Sequence, residues 1–120
     1  VNLLGVGLKA IPFHYTRRRG DPDMLTGKQR SYLRGLANTI PPIFQIGKGG
    51  ISENMIKQFN DALEARELVK ATVLKNALAD TREICEHIAR ETEAEIVQVI
   101  GNKFVLYKES KENKVIELPD

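Results

Sequence analysis

The sequence predicts an α/β fold: a single compact two-layer domain in the order α-β-α-β-α-β-β, with a mixed four-stranded sheet covered by helices. Three observations carry this reading. Short apolar runs alternate with segments of helical periodicity. The last two apolar runs are separated only by Gly101-Asn102, a hairpin turn signal. The chain has 120 residues, which suits one domain. Strands joined through helices imply parallel crossovers, whereas the closing pair implies an antiparallel hairpin. At 42% hydrophobic and 28% charged residues, such a chain builds a core without a metal or disulfide.

The first helix is predicted from Thr26 to about Asn38. Thr26 and Gln29 match a capping box, and Pro41-Pro42 forbid continuation. Its apolar face is Tyr32, Leu33, Leu36, Ala37 and Ile40, with Arg30, Arg34 and Asn38 along another side. Ile43–Ile46 reads as the first strand, followed by the flexible loop Gly47-Lys48-Gly49-Gly50. The second helix runs from about Ser52, a plausible N-cap, to Arg66, with Ile51, Met55, Ile56, Phe59, Ala62 and Leu63 at helical spacing. Leu68–Lys75 reads as the second strand. Asp80 with Glu83 opens the third helix, whose stripe is Ile84, Cys85, Ile88 and Ala89, with Glu86 and Arg90 as a surface pair. Ile96–Ile100 and Phe104–Tyr107 complete the sheet.

The domain is expected over 24–108. Residues 109–120 read as a charged tail that frays. Residues 1–23 precede the first methionine and show no sustained periodicity. They read as an upstream extension, a mis-assigned start or a cloning scar, with a flexible basic arm around Arg17–Arg19 as the competing reading. The apolar opening is not read as a signal peptide, and no run approaches the length of a membrane span.

Net charge is +2, and residues 1–23 carry all of it. Within the neutral remainder the charge is polarised: 24–57 carry net +4 and 76–95 net −4. This placement fits an oriented polyanion binder, and also a solvated surface with chance clustering.

Catalytic residues are sparse. His14 lies in the N-terminal extension, and His87 is expected on a helix surface. Cys85, the one cysteine, falls on an apolar stripe and reads as a core thiol. One cysteine and two scattered histidines give no zinc spacing. Asp80 and Glu83 are explained by helix capping and the macrodipole rather than by a metal. No cofactor or metal is expected.

The informative feature is Gly47-Lys48-Gly49-Gly50, between a strand and a helix. Glycines let a ligand backbone come close, and the helix N-terminus supplies unpaired N–H groups that favour phosphate. The pattern is G-x-x-G, the loop type with which KH domains clamp a nucleic-acid backbone, but Gly-rich turns before helices are also common. It is neither a Walker A loop nor a dinucleotide fingerprint. Lys28, Arg30 and Arg34 on the first helix extend a phosphate track beside it, with Lys57 following on the second helix. Tyr32, Phe44, Phe59 and Phe104 occupy core positions in this reading, so backbone and shape recognition is expected rather than base stacking.

The blocks Met24–Arg30, Leu33-Arg34, Ala37, Gln45–Gly50, Ala62-Leu63, Glu67–Lys70 and Val97–Tyr107 resemble the CRM domain, the chloroplast RNA splicing and ribosome maturation family. The resemblance covers about Met24 to Lys108 and is nearest the stand-alone bacterial YhbY/YqeI type. It implies a fold similar to the C-terminal domain of translation initiation factor three, RNA binding, and association with precursors of the large ribosomal subunit. Carried over, the RNA surface is Gly47, Lys48, Gly49 and Gly50 with Lys28, Arg30 and Arg34 beside them, and Lys103 as a weaker candidate. Asn38 stands where the family often has His, Pro41 where it has Lys, and Lys108-Glu109 where it has Arg-Pro; the loop is intact.

The resulting expectation is a non-catalytic, cytoplasmic, monomeric RNA-binding protein. Its partner would be structured rRNA of the large subunit or a pre-ribosomal particle, with no membrane partner. The competing expectations are a protein-interaction module using the acidic third helix and a small phosphoryl-transfer enzyme built on the glycine loop.

Overall fold

The computed structural model describes residues 25–119, in the element order α1 (Gly27–Ala37), β1 (Phe44–Ile46), α2 (Glu53–Arg66), β2 (Leu68–Val73), α3 (Thr81–Thr92), β3 (Glu95–Ile100) and β4 (Lys103–Tyr107). The N-terminal segment, with His14 and the Arg17–Arg19 run, lies outside the described residues.

Each helix starts where a side chain accepts from an orphan backbone N–H. Thr26 and Gln29 form the reciprocal capping box, at 3.1 Å and 3.0 Å. Ser52 Oγ accepts from Met55 N at 3.1 Å, and Asp80 Oδ1 from Glu83 N at 2.8 Å. α1 and α3 also end on side-chain donors. Lys70 Nζ on β2 reaches the carbonyls of Ala37 and Ile40 at 3.2 Å and 3.4 Å, completing the end of α1. Lys108 Nζ donates to Thr92 O at 2.9 Å, at the end of α3. Both amines lie where the helix dipole favours a cation.

The sheet order is β1-β2-β4-β3. β1 pairs parallel with β2 through the α2 crossover, and β4 is inserted antiparallel between β2 and β3. The hairpin turn is Gly101-Asn102, with Gly101 at φ +56°. Ile96 pairs with Leu106 and Gln98 with Val105, so Val97 is a bulge residue in β3.

The α/β class, the order and the mixed sheet are as the sequence implies, but the layers number three rather than two. One face carries Ile56, Phe59, Leu63, Ile84, Cys85 and Ile88 from α2 and α3 against Val69, Ala71, Phe104 and Leu106. The other carries Leu33 and Ala37 of α1 against Leu68, Val97, Val105 and Tyr107. Alternation along β2 and β4 therefore yields two apolar faces, and α1 covers the second. Phe44 stacks on Phe59 with centroids 4.1 Å apart, and Phe59 on Phe104 at 6.3 Å.

Three expectations are corrected here. Tyr32 is 44% exposed, because α1 seats only Leu33 and Ala37 fully and leaves its flank in solvent. His87 is buried, not on the surface: α3 packs against both β3 and β4, so its buried arc is wider than the four-residue stripe. The surface pair of α3 is Arg82–Glu86 at 3.6 Å rather than Glu86–Arg90.

The C-terminal tail does not fray. Glu67, the C-cap of α2, is fully buried at φ +65°. Its carboxylate accepts from the backbone N–H of Ser110 at 2.7 Å, Val115 at 2.7 Å and Ile116 at 2.8 Å. Glu64 accepts from Ser110 Oγ at 2.7 Å and from the N–H groups of Lys111 and Glu112 at 3.2 Å and 3.1 Å. Ile116 and Leu118 then pack against the α1-side core, and Gln29 Nε2 donates to Pro119 O at 3.0 Å. Two carboxylates from one helix end thus convert a charged segment into a fixed strap.

Candidate nucleic-acid interface

The glycine loop is a turn closed by Gly50 N donating to Gly47 O at 3.0 Å. Gly50 sits at φ +72°, a backbone conformation that favours glycine. Gly47 is a close approach: a Cβ there would meet Asn76 Oδ1 at 3.2 Å and Leu74 Cδ1 at 3.3 Å. Gly49 has nothing within 4 Å of an added Cβ, so the fold makes no demand for glycine there. Lys48 is exposed at the tip.

Around this turn lies one end of the sheet. The parallel strands β1, β2 and β3 all finish here, the usual end for ligand sites in open α/β sheets. Leu74 N donates to Ile46 O at 2.8 Å, and Val73 N to Asn102 O at 2.7 Å, tying the three strand-end segments together. β2 stops at Val73 rather than Lys75, because Ala77 N donating to Leu74 O at 3.0 Å closes a turn. Lys75 is thereby released from the strand into an exposed loop. The sequence signal for this was Asn76, a turn former directly after the assigned strand.

On the α1 side of the sheet, the register aligns Gln45, Thr72, Lys103 and Ile100 as one row across all four strands. None of them belongs to the core cluster beneath α1. At strand spacing the row is about 14 Å wide. It runs from the glycine turn at the β1 edge toward the β3 edge.

Arg30 and Arg34 meet the sheet at that β3 edge. Arg30 Nη1 donates to Ile96 O, and Arg34 Nε to Val97 O at 3.4 Å, so both guanidiniums bind carbonyls at the bulge. They are not beside the glycine loop, as the sequence reading has them. They stand three strands away, on the far side of the row. Each retains further N–H donors for an incoming anion. Lys28 is exposed in the first turn of α1. Lys57 is exposed on the second turn of α2, on the opposite sheet face from α1.

The basic residues therefore divide by use. Lys70 and Lys108 complete helix ends, and Lys114 pairs with Glu109 at 3.4 Å. Lys103 Nζ touches only the Asn102 side chain, at 3.4 Å. Among the described residues, Lys48 and Lys75 make no ion pair. Of the carboxylates at helix starts, Asp80 accepts from Glu83 N, and Glu53 lies in the first turn of α2.

No other chemistry converges here. Burial pushes the Cys85 thiol up to about 12 and holds it as a thiol in the core. His87 is held below its ordinary 6.5, first by burial and then by the Arg90 charge, so it stays neutral. Among the described residues, no three His, Cys, Asp or Glu side chains gather as a metal site would need, and no helix is long and apolar enough to cross a membrane.

Comparison with known proteins adds an independent line. The profile of the CRS1 / YhbY (CRM) domain matches residues 25–108. "Probable RNA-binding protein YqeI" of Bacillus subtilis is 56% identical over 96 residues, covering 80% of this chain and all of that protein. An "RNA-binding protein" of Haemophilus influenzae is 38% identical over 95 residues, covering 79% of this chain and 95% of that one. The solution structure of SAV1595 from Staphylococcus aureus has a TM-score of 0.67 and 62% identity, covering 80% of this chain and all of that one. The matched span stops where the carboxylate-held strap begins.

Proposed function

The chain belongs to the CRS1 / YhbY (CRM) domain family, and from that premise we propose that it binds structured RNA without catalysis, in assembly of the large ribosomal subunit. The observation that carries RNA binding is the convergence of Lys48, Lys75 and Lys103 on the strand ends, beside a glycine turn that leaves open space at Gly49. Two relatives named for RNA binding cover nearly the whole domain.

In this mechanism the phosphate backbone approaches the 47–50 turn at Gly49, where nothing lies within 4 Å of an added Cβ. Lysine amines neutralise phosphates as point charges, and the free N–H groups of Arg30 and Arg34 offer planar, directed donors at the far edge. Lys28 and Lys57 widen the positive field on either side. The ribosomal setting rests on the family resemblance, and it would have the protein act as a cytoplasmic monomer on a pre-ribosomal particle.

Titration of a labelled rRNA stem-loop across salt concentrations tests the binding. With about four phosphates neutralised, the log–log slope is about −3 to −4. A flat salt dependence overturns the electrostatic mechanism. Crosslinking in cells tests the setting, and recovery of RNA other than large-subunit rRNA removes it.

A further inference from the structure

One cleft takes no part in the glycine-turn site. It opens beside the end of α1, at the end of β1 away from the turn, and has a volume of about 270 Å³. Its aliphatic walls include Leu36 and Ile40 from the end of α1, Ile43 ahead of β1, and Ile116 from the strap. Ile43 is 39% exposed there. The strap that Glu67 holds at Ile116 N thus supplies one wall, so the cleft is formed before any partner arrives. Its charged lining residues, Arg66 and Lys70, are both cations, and no carboxylate lines it. Arg66 is exposed in the last turn of α2. Lys70 uses two of its three N–H donors on Ala37 O and Ile40 O, which leaves one.

The cleft and the glycine turn stand at opposite ends of one short edge strand. Ile43 N donates to Lys70 O at 2.9 Å, which fixes the cleft end against β2. From Ile43 to Gly47 the extended chain covers about 13 Å, so one short RNA segment reaches both. We propose that the cleft seats one extrahelical base of the RNA whose phosphates meet the glycine turn, with Arg66 and the remaining Lys70 donor on the phosphate beside that base. The proposal rests on the RNA-binding reading and adds the class of RNA: a helix interrupted by an unpaired nucleotide, rather than a continuous duplex.

Size and charge select this occupant. The volume lies just under the roughly 300 Å³ at which sites for drug-sized ligands begin, and suits one ring system. Aliphatic walls cover the flat faces of a base, and the cations meet the phosphate that comes with it. An apolar protein side chain would fill the same walls but leave Arg66 without an anion. A continuous duplex keeps its bases stacked inside and offers the cleft only phosphates, which gain nothing from Leu36, Ile40 and Ile43.

The test uses two stem-loop RNAs, one fully paired in its stem and one with a single bulged nucleotide. Each is titrated against the native chain and against Ile43→Ser, Arg66→Gln and Lys48→Glu variants. The native chain should prefer the bulged RNA by about tenfold, the scale of taking Ile43 and its aliphatic neighbours out of water. Ile43→Ser should remove most of that preference while keeping the affinity for the paired stem and its salt slope. Arg66→Gln should lower the preference as well, and Lys48→Glu should weaken both RNAs. A photoreactive thiouridine placed at the bulge should crosslink the native chain in the peptides that carry Ile43 or Lys70. Equal native affinity for the two RNAs overturns the inference and leaves RNA binding standing. Failure of both RNAs to bind overturns RNA binding and the inference together. A preference that survives in Ile43→Ser, or a crosslink confined to other peptides, places the base elsewhere and overturns the inference. The crosslink is read on the native chain, so it decides the matter even where a variant does not fold. Sedimentation covers the remaining occupant: self-association of the native chain that is lost in Ile43→Ser assigns the cleft to a second copy and overturns the inference.

Discussion

The two ends of the sheet treat charge in opposite ways. At the strand ends, Lys48 and Lys75 make no ion pair among the described residues, and the glycine turn beside them is open at Gly49. At the other end, Glu64 and Glu67 spend their oxygens on six hydrogen-bond donors, five of them backbone N–H groups of the strap. Charge placed against the chain's own backbone stabilises a structure. Charge withheld from it leaves a surface that a polyanion can stabilise instead.

The contrast breaks most visibly at Glu67. Glu67→Ala leaves three N–H groups without their carboxylate and should lower stability by about 3 kcal/mol or more. In a domain of this size that is a melting-temperature drop of more than about 12 °C, read by calorimetry. RNA affinity measured well below the transition should hardly change. A drop of only a few degrees would mean that Ile116 and Leu118 hold the strap alone.

At the opposite end the signs reverse. Lys48→Glu should weaken RNA binding by about tenfold or more and flatten the salt slope by about 1. Its stability should stay within about 0.5 kcal/mol, as for other exposed positions. A lowered melting temperature with normal affinity would exchange the roles of the two ends.

Acid sharpens the comparison because it acts on one end. The Glu64 carboxyl is held below its ordinary 4.5, first by the Ser110 hydroxyl and then by the N–H groups of Lys111 and Glu112. Its contribution is therefore full above 4.5 and lost as pH falls below it through the folded value. His87 adds an earlier limb of the same sign. Its folded value lies below 6.5, so between the two values the unfolded chain binds the proton that the folded chain refuses, and stability declines on acidification. Melting temperature against pH should be level between neutrality and 9.0, the ordinary value of the Cys85 thiol, sag below 6.5 and fall again below 4.5. His87→Phe should remove the first limb only.

The smallest effect is at Gly49. With open space around an added Cβ, Gly49→Ala should leave the melting temperature within about 2 °C, consistent with an unobstructed loop site. Its RNA affinity should still fall if the phosphate backbone fills that space. Unchanged affinity would move the closest approach away from the turn.

What was legible in the sequence was local. Thr26, Ser52 and Asp80 announce their helices because a cap is a short-range bond, and Phe59 or Ile84 announce a core because periodicity is short-range as well. What was hidden was decided at a distance. The strap reads as frayed because its own residues are charged, and its acceptors lie more than forty positions upstream on α2. Arg30 and Arg34 read as neighbours of the glycine loop because they are near it in sequence, whereas the β4 insertion places them across the sheet. The second apolar face, and with it the third layer, follows from pairing Leu68 with Tyr107, which no window of sequence contains. For the site, the glycine turn was readable and Lys75 was not, since it lies just past the end of β2, where a two-residue boundary error reverses its exposure.

The place of β4 in the sheet also sets when this protein can exist. It is the last of the described strands to be made, yet it joins β2 to β3, and without it those strands are a three-residue parallel pair and a separate edge strand. Such pieces are too small to be stable alone. A chain still growing on the ribosome must carry α1, α2 and α3 unassembled until residue 107 and the strap beyond it emerge. The nascent protein therefore has no strand-end surface to offer RNA until residue 107 has emerged, and binding competence then arrives in one step.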